Sequence, residues 1–191
     1  MRLKTVALLA IPLALLAVVR LPAGVSASAM QTSSTAASST ASAANNHPAV
    51  LVQLMRGIMF PNSNIVFSAE GKNPDDVPPA KHASSAANPL EGPYGKWEAV
   101  ENSSLVIVEA ANLLAVPGRL CSNGKPVPTT NADWPKLVQG LRDAGMQSYQ
   151  DAQTKNQDKM GDAAELMTKA CANCHVKYRD TEKLEDRCRK D

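Results

Sequence analysis

The residues with the clearest chemistry are Cys171, Cys174 and His175, in the stretch Cys-Ala-Asn-Cys-His. Two cysteines three positions apart lie on one side of a helix, where both thiols can add to the vinyl groups of a haem. A histidine directly after them is placed to bind the haem iron. The motif therefore predicts one covalently bound haem c, with His175 as an axial ligand.

Two other uses of a Cys-x-x-Cys pair fit the sequence less well. A structural zinc site needs a second pair of ligands, whereas the remaining cysteines, Cys121 and Cys188, stand singly. A thioredoxin-type redox pair sits where a strand runs into a helix, whereas residues 160–170 have a helical pattern with no strand before them. Haem attachment remains the better interpretation.

The N-terminal segment predicts export. Arg2 and Lys4 precede an apolar run from Thr5 to Val19, and Ala27-Ser28-Ala29 fits the small-residue rule for cleavage. A membrane anchor is the alternative, but a run of about fifteen residues is shorter than the roughly twenty that a bilayer requires. We expect residues 1–29 to be a signal peptide and the mature protein to be periplasmic, without stable membrane insertion.

The remaining composition predicts one domain and no nucleic-acid partner. The chain has 20 Lys and Arg against 18 Asp and Glu, and three of the basic residues fall in the predicted signal. No basic stripe with interleaved aromatic residues remains. Residues 30–46 are dominated by Ala, Ser and Thr and predict a disordered leader. Residues 47–191 are long enough for a single-core domain.

Apolar residues recur at three- and four-residue spacing in four stretches, which predicts four amphipathic helices. The first begins near Pro48 and should break or kink at Pro61, because proline lacks an N–H donor and clashes with the preceding turn. The second extends from Tyr94 to Ala115. A proline-rich loop, residues 70–93, separates them and is either a surface excursion or a contact region for another protein.

The third and fourth helices have capping candidates in front of them. Asn131 or Asp133 is placed to cap the third and Asp158 the fourth, since short polar side chains accept hydrogen bonds from N-terminal amides. The link between these helices is short, and no stretch alternates as a strand does. We predict an all-α fold, an antiparallel up-down-up-down four-helix bundle with haem in the core.

These features together resemble a known family. Four helices with Cys-x-x-Cys-His near the C-terminus, followed here by Val176-Lys177-Tyr178-Arg179, resemble the class II c-type cytochromes, the cytochrome c-prime group, in which endings of this kind are usual. The resemblance covers roughly residues 47–179 and is absent from the leader, the 70–93 loop and the tail after Asp180. It implies that Cys171 and Cys174 form the thioethers and that His175 is the proximal ligand.

The resemblance also implies roles for two further positions. Arg179, one turn after His175, matches a basic residue found beside the haem, where it could meet a propionate or shape the proximal pocket. The distal side is built from the first helix, where Met55 is the favoured iron ligand and Met59 the other candidate. Gly57 between them weakens a helix interior, which suggests close approach of the haem. We expect the apolar jacket to include Leu54, Ile58, Leu105, Val108, Leu137, Leu141 and Met167.

The identity of the sixth ligand separates the functions. A Met-ligated iron suits single-electron transfer between periplasmic redox proteins, whereas a five-coordinate iron suits a protein that binds NO or CO. No acid–base pair or nucleophile accompanies the motif, so we do not expect an enzyme. Docking to a periplasmic dehydrogenase or reductase through the 70–93 loop is a third possibility, and bundles of this kind often form homodimers.

The two single cysteines suggest a disulfide. In an up-down-up-down bundle the second and fourth helices end at the same end of the molecule, and Cys121 and Cys188 follow those ends. An oxidising periplasm favours joining them. A free, disordered Cys188 and an intermolecular pair are the alternatives.

Overall fold

The computed structural model describes residues 47–190, so the predicted signal peptide and leader lie outside the described residues. The described chain is helical and contains no strand, which confirms the all-α prediction. The first helix is composite and consists of α1 (Leu51–Leu54), a π-helical turn (Met55–Met59) and α2 (Phe60–Gly71). The other three are α3 (Lys96–Ala111), α4 (Trp134–Gln153) and α5 (Gln157–Tyr178).

The first helix continues through Pro61, so the break that the sequence predicted as an alternative to a kink does not occur. The Phe60 N–H bonds to the Met55 carbonyl five residues earlier, which makes the turn before Pro61 wider than an α-turn. Pro61 thereby falls in the first turn of α2, where a missing N–H is tolerated. The helix begins at Leu51, slightly later than expected. Its N-cap residue is Val50, whose N–H donates a hydrogen bond to the Gln53 side chain.

Helices α3 and α4 approach each other closely. A Cβ atom built on Gly145 would lie 2.8 Å from a methyl group of Val108 and 3.3 Å from the Ser104 carbonyl oxygen. At the same level, the buried hydroxyl groups of Ser104 and Ser148 share a 2.8 Å hydrogen bond. Only a residue without a side chain fits at this point of contact.

The cap of α5 differs from the prediction. The Asn156 side chain accepts hydrogen bonds from the Asp158 and Lys159 amides, at 2.9 and 3.4 Å, so Asn156 and not Asp158 caps the helix. Asp133 does occupy the cap position of α4, but its side chain does not bond to that helix. Its carboxylate bonds instead to the end of α5, as described below.

The long loop between α2 and α3 packs on the core. Three short 3-10 turns run through it, at Pro74–Asp76, Ala83–Ser85 and Pro89–Glu91. Val77 and Leu90 are buried, and the Trp97 indole N–H donates to the Asp75 carboxylate at 3.0 Å. Within residues 47–190, no helix has both the length and the apolar character needed to cross a bilayer.

Candidate functional site

A cavity of about 390 Å³ lies among the four helices. Its volume falls in the range of ligand-binding pockets. Most of its wall is apolar, and that part of the wall includes Leu51, Val52, Phe60, Ile107, Leu114, Trp134, Leu137, Val138, Leu141, Met167 and Ala170. An apolar wall of this kind suits a large hydrophobic ring system.

The residues singled out by the motif line this cavity. Cys171, Cys174 and His175 lie on consecutive turns of α5, and all three are partly buried at the cavity wall. Helical spacing explains their grouping, because residues three and four apart share a face. Both thiols are free, whereas the other two cysteines of the chain are paired.

Both methionine candidates line the same cavity from the first helix. Met55 begins the π-helical turn and Met59 ends it. Met59 is buried, whereas Met55 is partly buried and packs against the core. A π-turn is frequently found at functional sites, and here it coincides with the segment that carries both methionines.

Burial sets the protonation of the motif side chains. Burial, followed by the positive charge of Arg179, lowers the pKa of His175, so its imidazole is neutral near pH 7 and has a lone pair for a metal. Burial also raises the pKa of Cys171. Burial, the neighbouring Cys171 and Asp133 raise the pKa of Cys174 to about 11. Redox-active Cys-x-x-Cys pairs have the opposite property, a lowered thiol pKa.

A hydrogen-bonded cluster holds the end of α5 against the start of α4. The Tyr178 hydroxyl donates to the Asp133 carboxylate at 2.6 Å and accepts from the Asn131 amide at 3.1 Å. Lys177 pairs with the same carboxylate at 2.9 Å, and the Trp134 ring packs edge-on against Tyr178 with centroids 5.0 Å apart. The cluster positions the helix that carries the motif, a role that helix-cap patterns in the sequence did not indicate.

Arg179 and Arg187 both line the cavity but differ in their partners. Arg179 is exposed and pairs with Asp180 through two hydrogen bonds, at 2.6 and 3.1 Å. The Nε of Arg187 is buried and has no hydrogen-bond partner among the described residues. Sequence reasoning placed Arg187 in an open tail and missed it, because its position depends on the disulfide of the next residue.

That disulfide joins Cys121 to Cys188. The two sulfur atoms lie at bonding distance, 1.98 Å, with the Cα atoms 6.5 Å apart, in the pairing expected from the sequence. Both residues are buried and both line the cavity. The tail is therefore part of the site rather than a free end.

Some expectations about the cavity wall are wrong. Gly57 is exposed and does not line the cavity, and a Cβ built on it would meet nothing within 4 Å. The cavity face of the first helix includes Leu51, Met55 and Met59, at four-residue spacing, and Gly57 lies on another side of that helix. Of the expected apolar jacket, the cavity includes Leu137, Leu141 and Met167 but not Leu54, Ile58, Leu105 or Val108.

The residues present fit a covalently bound haem. The cavity combines an apolar wall, two free thiols at attachment spacing, a neutral imidazole and an unpartnered guanidinium N–H. Among the described residues, no three His, Cys, Asp or Glu side chains are grouped as a metal site.

The chain was compared with protein-family models, with curated proteins and with solved structures. No family model, curated protein or solved structure matches it.

Proposed function

We propose that this chain is a periplasmic monohaem c-type cytochrome that carries single electrons between redox proteins. One observation carries the proposal: Cys171, Cys174 and His175 line the same apolar cavity as Met55 and Met59. The motif occurs on one helix and the methionines on another, so their meeting at one cavity is a property of the tertiary structure.

Each side chain has a role in this proposal. Cys171 and Cys174 would form the thioether bonds, while His175 and Met55 would bind the iron from two different helices. The bound haem supplies an iron that takes up and releases one electron. Two firm ligands keep the coordination nearly unchanged between oxidation states, and the apolar wall excludes water.

We also propose that the four helices run alternately up and down with the haem in the core. Three pairs of contacts support this arrangement. Gln157 at the start of α5 bonds to the Glu70 carbonyl at the end of α2, at 2.9 Å. Along α3 and α4 the contacts run in opposite directions, because Ser104 meets Ser148 whereas Leu114 meets Trp134.

The third contact lies between α4 and α5, where Asp133 at the start of one helix pairs with Lys177 at the end of the other. The link between these helices contains only residues 154–156, which favours antiparallel neighbours. The disulfide of Cys121 and Cys188 supports a periplasmic location, because such bonds persist in oxidising compartments.

An absorption spectrum tests the proposal. The protein should be isolated from the periplasm, denatured and stained for haem, since thioether-bound haem stays with the polypeptide. We expect a low-spin reduced spectrum that carbon monoxide leaves unchanged. A high-spin spectrum that carbon monoxide shifts would instead support the five-coordinate, gas-binding alternative. A denatured polypeptide without haem would refute both, and Cys171→Ser with Cys174→Ser provides the negative control.

A further inference from the structure

Arg187 has an N–H group in an unusual environment for a cationic side chain. Its Nε is buried and forms no hydrogen bond with any described residue, and the side chain lies at the cavity wall. Burying a donor of a charged group without a partner is unfavourable, so a buried N–H of a guanidinium normally has an acceptor. The Arg187 side chain is partly buried and interacts electrostatically with Asp180, but no described residue accepts a hydrogen bond from its Nε.

The two other arginines at the cavity differ from Arg187. Arg179 is exposed and donates two hydrogen bonds to Asp180. Arg56 is also exposed. A second buried Nε without a partner, that of Arg119, belongs to a side chain that does not line the cavity. Among residues 47–190, Arg187 is therefore the arginine that both lines the cavity and has a buried Nε without a hydrogen-bond partner.

The backbone around Arg187 is held on both sides. The Asn123 amide donates to the carbonyl oxygens of Leu184 and Arg187, at 3.0 and 2.9 Å. Cys188, the next residue, is bonded to Cys121, and its N–H donates to the Tyr178 carbonyl at 3.0 Å. The guanidinium is thus presented to the cavity by a fixed segment and not by a loose end.

We propose that Arg187 binds a haem propionate and that the Cys121–Cys188 disulfide positions it to do so. This inference rests on the proposed function. A guanidinium is suited to a carboxylate because its N–H groups form charge-assisted, often paired hydrogen bonds with the two oxygens. In the apolar cavity, the propionate is the part of the haem that needs such a partner.

The test compares holoproteins of Arg187→Gln and Arg187→Lys with the matched control Arg189→Gln. Arg189 is exposed on the same segment and does not line the cavity. The readouts are the resonance Raman band of the propionate groups and the reduction potential. We expect Arg187→Gln to shift the propionate band and to lower the potential, because loss of a nearby positive charge favours the oxidised iron.

Arg187→Lys should lower the reduction potential less than Arg187→Gln does, because lysine keeps the positive charge. It should still shift the propionate band, because lysine lacks the planar set of donors. It carries the test if Arg187→Gln does not fold. Replacing both Cys121 and Cys188 by serine should shift the band in the same direction. Attached haem with a band in Arg187→Gln and Arg187→Lys identical to that of Arg189→Gln would overturn the inference alone. Wild-type protein without haem would overturn the proposed function as well.

Discussion

At the scale of single residues, burial determines which form of each motif side chain is present. The imidazole of His175 is neutral because its lowered pKa disfavours the proton, and the two thiols are protonated because burial disfavours thiolate. A neutral imidazole is a metal ligand, whereas protonated thiols are poor redox nucleophiles. The local environment thus leaves His175 able to bind a metal and makes Cys171 and Cys174 poor nucleophiles for disulfide exchange.

Met55→Ala tests the choice of distal ligand. If Met55 binds the iron, its removal opens the sixth position, and the reduced protein should become high-spin and bind carbon monoxide. Met59→Ala is the matched control, because Met59 lines the same cavity from the other end of the π-turn. An optical titration with carbon monoxide distinguishes the two. Loss of the low-spin spectrum in Met59→Ala alone would show that Met59 is the ligand.

Asp133→Asn tests the cluster beneath the motif. Hydrogen bonds from Tyr178 and Lys177 lower the pKa of Asp133. Because the folded-state pKa is depressed, the stabilisation is present above the unfolded-state value of about 4 and is lost as the pH falls through the folded-state value. We expect Asp133→Asn to be less stable than wild type at pH 7, with a difference that shrinks below about pH 4.

Urea unfolding at a series of pH values measures this difference. Asp76→Asn, which changes an exposed aspartate in the loop before α3, is the control. Its stability should follow the wild-type pH dependence. A constant difference between Asp133→Asn and wild type from pH 7 to about pH 3 would contradict the assigned role of the carboxylate.

At the scale of elements, two local features decide how the helices meet. The π-turn in the first helix has Met55 and Met59 at its two ends, both of which line the cavity, and it places Pro61 in the first turn of α2, where a missing N–H is tolerated. Gly145 in α4 allows that helix to lie directly against α3. Both features depend on backbone geometry, one on an altered hydrogen-bond ladder and the other on a missing side chain.

Gly145→Ala and Gly140→Ala form a matched pair on α4. The added methyl group at Gly145 would meet the stiff Val108 side chain at 2.8 Å, so we expect a loss of about 1–3 kcal/mol in the free energy of unfolding. At Gly140 the methyl group would meet nothing within 4 Å, and the better helix propensity of alanine should stabilise the protein by up to about 1 kcal/mol. Denaturant unfolding of the apoprotein measures both values, and equal effects would contradict the close packing.

At the scale of the whole molecule, one covalent bond connects the segment after α3 to the segment after α5. The Cys121–Cys188 disulfide spans 67 residues and brings the tail with Arg187 to the cavity. The tail is further held by Asn123, which bonds to its backbone at Arg187. The C-terminal segment therefore belongs to the domain and to its candidate site.

Replacing Cys121 and Cys188 by serine should destabilise the protein by about 4 kcal/mol, because the chain-entropy model assigns this value to a loop of that size. Chemical denaturation of wild type and variant measures it. Mass analysis after alkylation without reductant tests the bond itself, and we expect neither cysteine to be labelled in the mature monomer. Labelling of both would contradict the disulfide, and a reductant-sensitive dimer would indicate an intermolecular pair.

The sequence by itself determined the helical class and the motif, and it predicted the pairing of Cys121 with Cys188 that the structure shows. Cys171, Cys174 and His175 are local in the chain, so their spacing on a helix follows from helical geometry. The four helices follow from apolar periodicity in the same way. The disulfide could be predicted because only two cysteines remained after the motif was assigned.

Only the tertiary structure decided which side chains meet around the cavity. Apolar periodicity shows which residues share a face but not what that face meets, so it did not distinguish Leu54 and Ile58, which pack in the core outside the cavity, from the cavity-lining Met55. The position of Asp133 matched that of a helix cap, yet its carboxylate bonds to Tyr178 and Lys177 at the end of α5 instead of to its own helix. Arg187 lies in a charged tail whose local pattern is that of an exposed segment, and it reaches the cavity because contacts distant in sequence hold it there.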